Sequence, residues 1–154
     1  MVASVSDIKK ELERKDKKEL LSYCTRLIKY KKENKELISF ILFESDDMGA
    51  YMEKIKEETD ILFTGMNTSN VYFIKKTTRK ILRMLNKHIR FVGSAEVEAA
   101  LLIHFCNCFH QYQIPVKKSK QLENIYEGQL KKIELALGKI HPDLQYDLRQ
   151  SLQA

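Results

Sequence analysis

The chain has 154 residues, 44% hydrophobic and 31% charged, and its 27 Lys+Arg against 21 Asp+Glu give a formal net charge of +6 at neutral pH. This composition suits a single domain over residues 1–154 with a packed core, and it excludes disorder and low-complexity tails. Five Gly and two Pro are too few for the turns of a β-sandwich or barrel, and they do not cluster as phosphate-cradling or dinucleotide loops require.

Apolar residues recur at helical spacing almost throughout, and no stretch alternates with period two for long enough to make a strand. The pattern predicts an all-α fold, a compact array of seven to eight helices or a short α-solenoid-like stack of helix pairs. Ser6 or Asp7 caps a first helix ending near Arg14, and Asp16 with Glu19 makes a capping pattern for a second reaching about Lys31. Asn34 is expected to cap a third, whose LISFILF run is apolar on every side and so predicts an interior helix. The run Glu44-Ser45-Asp46-Asp47 opens a fourth helix, closed by Gly65 to Ser69. Asn70 begins a fifth, which Gly93 stops near Val92. Ser94 caps a sixth, about Ala95 to Tyr112, again apolar nearly all round, before Ile114-Pro115 breaks the chain. Ser119 starts a seventh helix reaching Ile140, and Pro142 sits in the first turn of a short last one.

Charge is distributed unevenly along this order. Residues 44–60 hold seven acids and two cations, whereas residues 61–95 hold seven cations and no acid. On a helical wheel Lys75, Lys76, Arg79, Lys80, Arg83, Lys87 and Arg90 fall within an arc of about 140°, opposite Val71, Ile74, Ile81, Leu82, Leu85 and Ile89. The stripe rises roughly 22 Å, enough to follow several phosphates, and Tyr72 in the same arc offers a stacking face. Two readings follow. Glu53, Glu57 and Asp60 on the preceding helix neutralise the stripe across an antiparallel pair. Alternatively, the stripe binds an external polyanion, with Lys117, Lys118 and Lys120 adding to it. Because the apolar side of this helix is required for the core, membrane-surface attachment is disfavoured.

His104, Cys106, Cys108 and His110 lie within seven residues, but the spacing defeats a four-ligand site. His104 and Cys108 share one helix face while Cys106 and His110 lie nearly opposite. Half a site at i,i+4 would need partners from Cys24, His88 or His141, so no metal and no cofactor are assigned. The cysteines and aromatics read as core.

His141-Pro142-Asp143, preceded by LALGKI, resembles the His-Pro-Asp signature of J-domains, which stimulate Hsp70 ATPases. In that family a substantial helix and basic residues follow, and Leu144 to Ala154 are not basic. A proline at a helix start with an acid in the first turn accounts for the same letters. Across KYKKENKELISFILFE, NTSNVYFIKKTTRKILR and NIYEGQLKKI the chain resembles small all-helical bacterial proteins of unassigned function, a resemblance that implies the helical fold and no site.

The chain shows no nucleophile elbow, Walker loop, glycine fingerprint or HExxH, which weighs against an enzyme. The expected function is a helical protein-interaction module, an adaptor or scaffold with a protein partner. The alternative is a weak, sequence-independent nucleic-acid binder using the basic helix face. MVASVSDIKK has no basic n-region followed by an apolar h-region, and Leu37 to Phe43 falls far short of the roughly 18 apolar residues of a membrane span, so the expected location is cytoplasmic. An odd count of three cysteines argues against a disulfide framework.

Overall fold

In the computed structural model, which describes residues 1–153, no strand occurs among the described residues and the chain is all-α. The helices are α1 (Val5–Glu13), α2 (Lys17–Tyr30), α3 (Lys32–Phe43), α4 (Met48–Thr64), α5 (Val71–Val92), α6 (Ala95–Gln111), α7 (Lys120–Leu137) and α8 (Pro142–Ser151), with a 3-10 turn at Val116–Lys118. They form two compact units, one spanning Met1–Asp46 with α1 to α3 and one beginning at Asp47 with α4 to α8. No helix among the described residues is long and apolar enough to cross a membrane.

Local chemistry sets most of the boundaries. Ser4, rather than Ser6 or Asp7, caps α1 by accepting from the Asp7 amide at 3.1 Å, which leaves Asp7 in the first turn beside the positive end of the helix. Asp16 and Glu19 close a reciprocal capping box on α2 at 2.8 and 3.3 Å. Asn70 accepts from the Phe73 amide to open α5. Gly93 ends that helix in the left-handed region (φ 67°), a conformation that costs a residue with a Cβ.

Asn34 is not the cap of α3. A single residue, Lys31, separates α2 from α3 by leaving the helical region (φ −145°, ψ 136°). That places Asn34 inside α3, where its side-chain amide donates to the Leu27 carbonyl at 2.7 Å and satisfies an acceptor in the last turn of α2. At the end of α6, the Ile114 amide donates to the Phe109 carbonyl and the Gln113 amide to that of His110, with Gln113 itself at φ 54°. This Schellman-type closure ends the helix before Pro115 acts on it. Helix α7 stops at Leu137 under the Gly138 cap, three residues earlier than the sequence suggests.

Helix α6 is the axis of the second unit. It packs against α4, α5, α7 and α8, which is why a helix apolar all round is stable there: Leu101, Leu102, Phe105, Cys106 and Cys108 have no exposed surface. Phe63 at the end of α4 meets Phe105 and Phe109 and stacks on Tyr112, with ring centroids 5.6 to 6.1 Å apart. Thr59 and Thr78 are buried in this unit with their hydroxyls bonded back to backbone carbonyls of their own helices.

The first unit is built differently. Helices α2 and α3 pack on one another, yet Phe40 is the one buried residue of α1 to α3. The expectation that LISFILF makes an interior helix is therefore wrong. Ile41, Leu42 and Phe43 are exposed, because three short helices offer too little surface to surround one of their number.

Candidate functional site

The basic face of α5 is organised around a shallow depression of about 340 Å³ lined by Tyr72, Lys75, Lys76, Arg79 and Arg83, with Gln121 of α7 as its far wall. The asparagine cap at Asn70 and the buried stripe Ile74, Thr78, Ile81 and Leu85 fix the rotation of α5, which turns these cations outward. Lys75 donates to the Gln121 side-chain carbonyl, joining the two walls. Lys80, Lys87 and Arg90 lie on the same helix outside the depression. Tyr72 is 63% exposed, its ring edge-on to Phe73. Lys117, Lys118 and Lys120 do not line the depression, and Lys120 pairs with Glu123 on its own helix.

The proposed neutralisation by α4 does not form. Glu53 pairs with Lys56 on α4 at 3.7 Å, Asp60 points to α6, and Glu57 enters no ion pair among the described residues. Lys76, Arg79, Lys80, Arg83 and Arg90 likewise enter none among the described residues. Tyr51 of α4 meets His88 of α5 instead, hydroxyl to Nδ1 at 2.5 Å with the rings edge to face. Lys76, Arg79, Lys80, Arg83 and Arg90 are thus left to solvent and its counterions.

The histidines and cysteines of α6 separate as the wheel requires. His110 reaches the Tyr126 hydroxyl at 2.9 Å, and Cys106 is buried, its thiol pushed up to about 12 first by desolvation and then by Glu127. His104 and Cys108 share a face, and the group that joins them is Asp60 of α4. His104 Nε2 lies 2.9 Å and Cys108 Sγ 3.4 Å from the same carboxylate oxygen. Burial, then the hydrogen bond to Asp60, raises the Cys108 thiol far above its ordinary range, so it is a protonated donor to the carboxylate. Sequence reasoning assigned Asp60 to the basic helix. Its i−4 and i+3 neighbours Lys56 and Phe63 gave no signal that it faces α6.

A second surface is apolar and lies in the first unit. Cys24, Leu27, Ile28, Leu37, Ile38 and Ile41 line a depression of about 160 Å³ between α2 and α3. A wider groove of about 400 Å³ runs between α1 and α2, walled by Ile8, Leu12, Tyr23, Leu27 and Tyr30 with Arg26. Leu27 is common to both, so the two form one continuous apolar surface.

His141-Pro142-Asp143 forms the start of α8. The His141 ring accepts from the Asp143 amide at 3.1 Å and Pro142 fills the first helical position, so all three residues serve as a cap. Comparison of the chain with protein-family models, with curated proteins and with solved structures returns no match.

Proposed function

We propose that the chain is a helical protein-interaction module that takes a partner on the apolar surface of residues 1–46. The observation that carries this reading is the imbalance within that unit: one side chain is buried, while Leu27, Tyr30 and Ile41, which line the two grooves, are 58%, 85% and 49% exposed. Fully burying a side chain of this size is worth about 1.5–3 kcal/mol, and several contiguous ones offset the entropy lost on association. The paired grooves suit an amphipathic helix, whose anchors at i, i+3, i+4 and i+7 would enter them in turn. The absence of recognisable catalytic motifs is consistent with this reading. The test is affinity capture at low salt with the full chain and with Leu27→Asp, Tyr30→Asp and Ile41→Asp, each checked for helix content by circular dichroism. Partners retained by the parent and lost from the variants support the proposal; recovery of no protein, or identical recovery by all four chains, overturns it.

A second reading is favoured by a separate observation, the solvent-facing cations of α5. In it, the depression around Lys75, Lys76, Arg79 and Arg83 binds a polyanion through phosphates, with Tyr72 stacking on a base. Four to five phosphate contacts predict that affinity falls roughly 10²- to 10³-fold between 50 and 200 mM salt. The triple variant Lys76→Glu, Arg79→Glu, Arg83→Glu should abolish oligonucleotide retention. Retention that survives it, or that has no salt slope, sinks this reading.

A further inference from the structure

We propose that Asp60, His104 and Cys108 form a binding site for one zinc ion, held between α4 and α6. Their ligand atoms, one carboxylate oxygen, one imidazole nitrogen and one thiol sulfur, all lie within 4.8 Å of one another. The i,i+4 spacing on α6 puts His104 and Cys108 one turn apart on the same face, and α4 delivers Asp60 opposite them. Tetrahedral zinc, with bonds of about 2.0–2.3 Å, needs its ligand atoms about 3.3–3.7 Å apart. The separations of 2.9 Å (His104 to Asp60) and 3.4 Å (Cys108 to Asp60) are within a few tenths of an ångström of that range, and the His104 and Cys108 ligand atoms lie within 4.8 Å of one another. A mixed nitrogen, oxygen and sulfur set selects zinc over magnesium or calcium, which take oxygen ligands.

The surroundings fit an ion with one open position. Cys108 is fully buried, whereas the His104 and Asp60 side chains are 23% and 41% exposed, so the cluster sits at the margin of the core with solvent on one side. Water would supply the fourth ligand there, as in three-ligand zinc sites. Binding replaces the thiol proton: the S–H bond breaks, the sulfur pair is given to zinc and one proton goes to solvent. His104 gives its Nε2 pair once the proton that Nε2 donates to Asp60 is released to solvent and Nδ1 takes one up from solvent, so the imidazole stays neutral. Thiolate and carboxylate then balance the two charges of the ion. Without metal His104 and Cys108 each hydrogen-bond to Asp60, which holds the three groups together.

Cobalt(II) reads the site directly, because thiolate ligation gives a near-ultraviolet charge-transfer band and tetrahedral geometry gives intense visible bands. Titration of the full chain carrying Cys24→Ser, which removes the exposed thiol, should show both at one cobalt per chain, and zinc should displace them stoichiometrically. Cys108→Ser should lose the charge-transfer band. Because Cys108 is buried and its replacement can disturb folding, Asp60→Asn at the solvent margin is the second variant. It should weaken cobalt binding at least tenfold with circular dichroism unchanged, while Cys106→Ser leaves binding intact. Absence of the charge-transfer band in the parent, its persistence in Cys108→Ser, or unchanged affinity in Asp60→Asn overturns the proposal.

Discussion

Helices α3 and α6 are written in similar letters. Each carries a run apolar on every side, LISFILF in one and LLIHFCNCF in the other, yet α6 buries nine residues and α3 buries Phe40 alone. The difference lies in what surrounds them. Four helices of the second unit pack on α6, whereas the first unit contains only α1 and α2 besides α3. An all-round apolar helix states a demand for neighbours, and the rest of its unit decides whether the demand is met. Where it is unmet, apolar surface is left for a partner, which is the basis of the interaction reading.

The strongest way to break this contrast is to separate the units. A fragment of residues 47–154 holds the whole α6 core and should unfold cooperatively in denaturant, whereas residues 1–46 alone should show little helix by circular dichroism. Cooperative melting of the short fragment would refute the account of α3. Next in size is a pair of matched truncations. Phe105→Ala, at a site with no exposure, should cost about 3–5 kcal/mol in urea titration, while Phe43→Ala should stay within about 0.5 kcal/mol. The smallest effects sharpen the description of α6 at its two ends. Gly93 just before it and Gln113 just after it both have positive φ. Gly93→Ala should therefore cost about 1 kcal/mol, and Gln113→Gly should gain a few tenths of a kcal/mol or more, by the same denaturation assay.

The order and type of the helices were legible because they are set by neighbours in sequence. Asn70, Gly93 and Ser94 bound α5 and α6 as side-chain chemistry alone requires, and the Asp16–Glu19 box is entirely local. Asn34 was misread because the same amide that can cap its own helix can also satisfy the previous one, and only the tight bend at Lys31 decides between them. The basic stripe was legible as a face of α5. Its freedom from α4 was not: α4 packs on both α5 and α6, and a wheel cannot say which neighbour a given side meets. Asp60 turns to His104 and Cys108, so the acid assigned to one cluster completes another.

The placement of the three thiols gives each unit its own chemical reporter. Cys24 lies exposed in the first unit, and Cys106 and Cys108 are buried in the second, where in the metal-free chain burial raises both thiols and slows their reaction. A maleimide added to the native chain therefore labels one position, and the appearance of a second and third adduct times the opening of the α6 core, with no engineered residue needed.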